Sequence, residues 1–486
     1  MELTVRVDWR PDRNSELPVY RQIVEYVRGQ IAAGQWSAGN RLPAQRELAR
    51  LFGVNRSTVV AAMEELASYG LLESDHGGGT RVASDTWSLM VSDRTLGWNH
   101  YLEEGVFQAN VPTIQLINKL EFEDTIRLGT GEPDPKLYPA VQMKSVLEGL
   151  AGRLTSMGYL GPLGLPELRN ALSKRLAAQG IEAPPSNILI TSGSLQALQL
   201  ISVCLLQPGS VVYAEQPSYL RSLRVFQSAG MDLKGISMDR EGLRYWEMEE
   251  AGDRTRLLYT IPTFQNPTGA LMSRERREGL LHFCREGRIP VIEDTAYSEL
   301  WLEEEPPSSL KAMDKHGMVL QLGTVSKSLL PGLRIGWLIG PEPVVARLGD
   351  VKMQVDYGAS SLSQWVLTEW LESGAYEEHL TGLRGEMRGR RDSALAVLEE
   401  HFADLADWEA PKGGFYIWVR FRRGISVEKL FHEAMEQRIL LNPGGVYSAA
   451  PSRALRLSYA YEDPKTFRKA ARILAGLARR QLTNSG

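Results

Sequence analysis

Val319-Leu320-Gln321-Leu322-Gly323-Thr324-Val325-Ser326-Lys327-Ser328, with Arg334 seven residues after the lysine, decides how most of this chain is read. The apolar run ends in glycine and reads as a buried strand. Its exit carries two hydroxyls and a lysine. Similar runs precede it at Ile188–Thr191, Val211–Ala214, Leu257–Ile261 and Val291–Asp294, with helical stretches between them. Strands alternating with helices predict a mostly parallel α/β sheet. Ligands bind such sheets outside the carboxyl ends of the strands, so the residues just after each run are the candidate site.

Those exits carry chemistry. Ile190-Thr191-Ser192-Gly193-Ser194-Leu195-Gln196-Ala197 places glycine and serine between a strand and a helix, where backbone N–H groups and the helix dipole favour a phosphate. Any strand–helix turn has this look. Asn266-Pro267-Thr268-Gly269 follows the run Leu257–Ile261 and reads equally as an ordinary turn. Asp294 ends a strand, with Tyr297 three residues on; the plainer reading is a helix N-cap. Arg456, in Ala454-Leu455-Arg456-Leu457-Ser458, puts a charge inside an apolar strand, where it needs a partner. An anionic ligand or an internal salt bridge would serve.

Taken in order, these pieces resemble the fold-type-I pyridoxal-phosphate (PLP) aminotransferases, over residues 113–486. The resemblance implies that Lys327 forms a Schiff base with the PLP aldehyde and that an amine ligand displaces it. Asp294 would pair with the pyridine nitrogen. Asn266 and Tyr297 would hydrogen-bond the phenolic oxygen. Ser194, Leu195 and Gln196 (largely through backbone), Thr324, Ser326 and Arg334 would hold the phosphate. Tyr219 matches the aromatic that stacks on the ring, and Tyr159 the tyrosine that reaches the neighbouring subunit's phosphate. Arg456 would take an effector carboxylate, with Arg221 as a substitute. Leu195 stands where the family often has glutamine, and Trp337 replaces a usual tyrosine.

The first 82 residues read differently. Val19, Ile23, Val27 and Ile31 mark one face of a helix that Pro18 starts and Gly34 ends. A second helix carries Leu48, Leu51 and Phe52 and is closed by Gly53. A third begins near Asn55 and buries Val59, Met63 and Leu66. Leu71-Leu72-Glu73, a Gly77-Gly78-Gly79 turn and Thr80-Arg81-Val82 read as a hairpin. This is the plan of a winged helix-turn-helix. Arg41–Ala49, Gly53–Val59 and Gly70-Leu71-Leu72 resemble, in order, the GntR-type DNA-binding module. Candidate DNA contacts are Arg41, Arg46, Asn55, Arg56, Ser57, Thr58, Gly78 and Thr80, because arginine neutralises phosphate and reads guanine bidentately. Residues 1–82 also hold ten arginines, no lysine and ten acidic residues. That balance leaves a protein-docking domain as the competing reading.

The bulk numbers set limits. With 486 residues, two or three domains are expected. Apolar residues make up 43% and charged residues 23%, and the net charge is -4, as in globular proteins. Two distant cysteines, Cys204 and Cys284, and seven histidines in no ligand spacing argue against a disulfide framework or a metal site. The absence of a long apolar run argues against a membrane span, and a cytoplasmic protein is expected.

The expected organisation is a winged helix over 1–82 and a linker over 83–112, with a short helix near Trp98–Glu104. An aminotransferase-like domain would follow over 113–486, with its large part about 140–350 and its small part about 375–486. The helix at Ser363–Leu371 is read with the C-terminal unit. The combination resembles the MocR family of regulators. That resemblance implies a head-to-tail homodimer that binds double-stranded promoter DNA and responds to PLP or to an amine or amino-acid effector. The alternative is a working aminotransferase with an accessory DNA-binding domain.

Overall fold

The computed structural model describes residues 5–483 except 6, 14, 16, 33–34, 37–39, 69–70, 76–78, 84–111, 153, 155–157, 423 and 449–451. The expected linker, the short helix near Trp98, Gly34 and Gly78 therefore lie outside the described residues. The chain divides into two compact units, Met1–Gln108 and Ala109–Gly486.

In the first unit, helices α1 (Val19–Ala32), α2 (Gln45–Phe52) and α3 (Arg56–Ser68) precede an antiparallel hairpin of β1 (Leu72–Asp75) and β2 (Gly79–Val82). The apolar stripes converge: Ile23, Val27, Leu48, Phe52, Val59, Leu66, Leu72 and Val82 form one core. Gly53 closes α2 at φ 70°, donating its N–H to Ala49 O. That left-handed conformation is what a helix stop asks of glycine. The segment before α1 belongs to this core as well. Trp9 stacks on Tyr26 at 4.6 Å, and Val5 N donates to Arg41 O at 3.1 Å.

In the second unit, eight strands form one sheet: β4 (Ile188–Thr191), β5 (Val211–Gln216), β6 (Asp232–Asp239), β7 (Gly242–Leu243), β8 (Arg256–Thr260), β9 (Val291–Asp294), β10 (Val319–Thr324) and β11 (Gly336–Ile339). Their spatial order is β4-β11-β10-β9-β8-β5-β6-β7. β10, β9, β8, β5 and β6 run parallel, while β11 is antiparallel to both β10 and β4. Both faces are covered, as a parallel sheet requires. Along β5, Val212 and Ala214 enter one core while Val211 and Tyr213 enter another. This period of two explains why the strands read as unbroken apolar runs.

A four-stranded antiparallel sheet, β12 (Ala406–Asp407), β13 (Tyr416–Phe421), β16 (Ala454–Ser458) and β15 (Asn442–Pro443), builds the small domain. Helices Ala375–Phe402, Val427–Glu436 and Pro464–Thr483 pack on it. One helix placed by sequence position is corrected. The helix Ser361–Glu372 buries Val366, Leu367 and Trp370 against Leu168, Leu172 and Ile190, so it packs with the large domain. Conversely, Ile114, Ile117 and Leu128 join the small-domain core, and β3 (Ile126–Arg127) pairs with β14 (Ile439–Leu440).

Beneath the sheet, Arg277 and Glu293 are fully buried. Arg277 donates to Met272 O, Ser308 O, Pro262 O and Thr263 Oγ1, while Glu293 accepts from Leu310 N, Lys311 N and Gln321 Nε2. The two charges stand 3.9 Å apart. This network anchors the start of the loop that leads to Asn266.

Candidate functional site

The carboxyl ends of β4, β5, β8, β9 and β10 lie along one edge of the sheet and deliver the residues singled out from sequence. Lys327 follows β10, and its Nζ donates to Gly131 O at 2.8 Å. Burial pulls this amine down to about 8; Arg456 and Arg334 act in the same direction, while Glu132 and Asp294 oppose them. A buried amine close to neutrality is a usable nucleophile at physiological pH.

Asp294, last residue of β9, accepts from Tyr259 Oη at 2.7 Å and from Ala296 N at 3.0 Å. Burial pushes its carboxyl up, while those hydrogen bonds and Lys327 pull it back. Asn266 Oδ1 accepts from Arg456 Nη1 at 2.8 Å. Arg456 Nη2 donates to Gly129 O at 2.5 Å, and its Nε is buried without a partner among the described residues. The guanidinium sits over the rings of Tyr416 and Tyr447, at 4.0 and 4.7 Å. Thus, among the described residues, Arg456 meets neutral partners and no carboxylate, which disfavours the internal salt bridge as its reason for being there.

A candidate anion cradle lies at the end of β4. Gly193 has φ 90° and precedes the helix Ser194–Cys204. A Cβ there would come within 2.8 Å of Arg334 Nη2. A Cβ on Gly336 would lie 2.7 Å from Ser194 N and from Gly193 C. Gly336 is therefore imposed by close approach of backbone, and Gly193 by its left-handed φ. Thr324 Oγ1 donates to Ile335 O at 2.9 Å and stands 3.0 Å from Ser326 Oγ. Gln196 turns its side chain to Ser192 N and Asp356, and Leu195 is half exposed. Only the backbone of these two faces the cradle. Tyr219 is half-buried, packed on both neighbouring cores. Tyr159 is 86% exposed and sits 5.2 Å from the ring of Tyr357. Arg221 lies in the helix Leu220–Ser228, its side chain outside the described residues.

Four participants escaped the sequence reading. Gly131 holds Lys327 through its carbonyl. Glu132 is the chief opposing charge on that amine, and Tyr416 Oη bonds Tyr297 Oη at 2.7 Å. Glu215 is buried and raised to about 7 by desolvation. It accepts from Ile261 N, Thr260 and Gln265, and so braces the loop carrying Asn266. Gly129 and Gly131, one residue apart ahead of Glu132-Pro133-Asp134, were the available signal.

On the winged helix, Arg46, Asn55, Arg56 and Ser57 are exposed at the first turns of α2 and α3, and Thr58 is half-buried. Arg41 and Thr80 are half-buried beside the hairpin, where the Arg41 guanidinium crosses the open face of Gly79.

The fold and the lysine site define an aminotransferase-class domain: residues 123–474 match the family "Aminotransferase class I and II", and residues 19–82 match "Bacterial regulatory proteins, gntR family". The chain belongs to the MocR type of GntR-family regulators, which joins these two parts. It is 47% identical to the HTH-type transcriptional regulator YisV of Bacillus subtilis, over 97% of this chain and 98% of that one. It is 32% identical to the HTH-type transcriptional regulator NorG of Staphylococcus aureus, over 88% and 97%. Among solved structures, a multiple substrate aminotransferase from Thermococcus profundus superposes with a TM-score of 0.75 at 29% identity, over 80% of this chain and all of that one. The kynurenine aminotransferase of Pyrococcus horikoshii does so with a TM-score of 0.75 at 31% identity, over 81% and 99%. Among the described residues, no helix is long and apolar enough to cross a membrane.

Proposed function

We propose that this protein is a PLP-dependent transcriptional regulator that binds promoter DNA through its winged helix and senses a carboxylate-bearing amine in its aminotransferase-like domain. The observation carrying this reading is Lys327: a buried amine, drawn down to about 8, on the same sheet edge as Asp294, Asn266 and an anion cradle. The residues fit PLP. Gly193, the Ser194 helix terminus, Ser326 and Arg334 offer donors for its phosphate. Asp294 is an acceptor placed for a pyridinium, and Asn266 and Tyr297 carry groups for the ring oxygen. When bound, PLP supplies an aldehyde for a covalent link and an electron-withdrawing ring. The protein's own part is to make Lys327 easier to deprotonate than a free lysine, to orient the ligand's carboxylate on Arg456, and to exclude water.

A ligand shifts the regulator only by its differential affinity for two states. The test is therefore a titration of the purified protein with a panel of amino compounds. The visible absorbance is followed while a mobility-shift assay reports binding to the upstream intergenic DNA. One amine that moves both, without turnover, supports the reading. Spectral cycling with 2-oxo acids and no DNA bound would favour the second reading, a working aminotransferase, for which the complete set of catalytic residue types speaks.

Two expected outcomes belong here. Arg56→Ala should weaken promoter binding by about 1–3 kcal/mol in the mobility-shift assay if it reads a base; unaltered binding removes it from the contact set. Arg456→Ala should abolish the response to a carboxylate effector while PLP stays bound; an intact response would hand the role to another residue, with Arg221 the first to test. The assembly belongs to the same proposal. Tyr159, Val355 and Tyr357 are exposed, Tyr159 packs beside Tyr357, and the adjoining Asp356 touches the cradle residue Gln196. A second copy in a head-to-tail dimer would cover them, and light scattering would report a dimer.

A further inference from the structure

The two phenols at the heart of the site share one hydrogen bond, and that leaves a proton to assign. Tyr297 Oη and Tyr416 Oη stand 2.7 Å apart, with their rings edge-on at 5.5 Å. Each hydroxyl has one proton, and among the described residues neither phenol bonds anything else. One O–H donates to its neighbour; the other faces the site without an acceptor. Tyr416 also touches Arg456 and lies beside Gly131, the glycine that holds Lys327. Its ring lies 4.0 Å beneath the guanidinium of Arg456. A Cβ on Gly131, whose carbonyl holds Lys327, would come within 2.6 Å of its hydroxyl.

We propose that Tyr416 is a positioning residue: its hydroxyl donates to Tyr297, turns the Tyr297 proton toward the ring oxygen of a bound cofactor, and couples the state of the carboxylate anchor Arg456 to Lys327. This rests on the PLP reading above. The charged and titratable groups facing the pair are Arg456, Tyr219 and Glu132; those facing Lys327 are Glu132, Arg456, Arg334 and Asp294. Arg456 disfavours a proton on Lys327. A carboxylate on Arg456 offsets that charge and makes a proton there more favourable. A hydrogen bond given to the ring oxygen acts oppositely, because it stabilises the oxygen's negative charge and holds the proton off the neighbouring nitrogen.

The test uses the full-length protein loaded with PLP, and reads the pH midpoint of its visible band. Tyr416→Phe keeps the ring under Arg456 and removes only the hydroxyl. Its midpoint should rise by about 0.5–1, the effect of one lost hydrogen bond. Tyr297→Phe should raise it in the same sense. The double variant should shift less than the sum of the two singles, because both act through one chain. Pentanoate, a carboxylate without an amine, should raise the wild-type midpoint and move that of Tyr416→Phe less. An unmoved midpoint in Tyr416→Phe, or additive shifts, would overturn the proposal while leaving PLP binding intact. A wild type that develops no visible band overturns the cofactor reading, and this inference with it. Should Tyr416→Phe fail to take up PLP, the pentanoate titration of the wild type decides, and no movement counts against the coupling.

Discussion

Lys327→Ala is expected to abolish the visible absorbance that PLP gives on attachment to the protein, and with it the response of DNA binding to amines. Lys327 Nζ is held on Gly131 O, among the groups that would surround a bound ring. The variant should still fold. The amine's value of about 8 lies below the ordinary 10.4 or so. The unfolded chain therefore binds more protons between those values, and stability without cofactor rises as pH climbs from about 8 to 10. Below about 8 the folded chain carries a cation at a buried position, and alanine removes it. Cofactor-free Lys327→Ala should accordingly be at least as stable as cofactor-free wild type at pH 7 in urea. An unchanged visible spectrum would sink the assignment of Lys327.

Arg277→Met should destabilise the aminotransferase-like unit by about 3–5 kcal/mol, the usual consequence of removing one partner from a buried charge network. Methionine fills much of the volume, but the acceptors Met272 O, Pro262 O and Thr263 Oγ1 lose their donor, and Glu293 is left as a buried anion. Burial already outweighs mutual attraction in this pair: it lowers the Arg277 guanidinium and raises the Glu293 carboxyl. Without the arginine, Glu293 rises further. A carboxyl raised in the folded state loses stability as pH climbs past its unfolded value of about 4.3. The deficit measured in urea should therefore be larger at pH 7 than at pH 5. A deficit below about 1 kcal/mol at both would mean that the loop from Pro262 to Asn266 is held by other contacts, Glu215 foremost.

The sequence carried the sheet and its functional edge because catalytic residue types punctuate apolar strands at their carboxyl ends. That pattern is why Lys327, Asp294, Asn266 and Arg334 could be assigned to one edge of the sheet before their roles are tested. What stayed hidden depends on pairings far apart in the chain. Arg456 was visible as a misplaced charge, but its partner Asn266 lies 190 residues away. Tyr416 sits in an apolar strand and looks like core; its hydroxyl matters only because Tyr297 faces it. Glu215 reads as a polar strand end until its burial is known. The helix Ser361–Glu372 was misassigned because chain order says nothing of which core an apolar face enters. Trp9 was missed since a single aromatic before a helix has no periodicity to betray it.

The small-domain strand β16 completes the site at the far end of the chain. Arg456 closes on Gly129, 327 residues earlier in sequence. The winged helix, by contrast, draws its core from residues ending at Val82. On a ribosome adding roughly 5–20 residues per second, a DNA-reading head is thus assembled roughly 20–75 s before the sensor can close around anything. On the proposed reading, a newly made molecule would pass through a stage in which its DNA-binding unit is formed and its effector site is not. Cofactor that binds only the closed site adds its free energy to folding, and the supply of that cofactor would then set how many of these half-built regulators mature into listening ones.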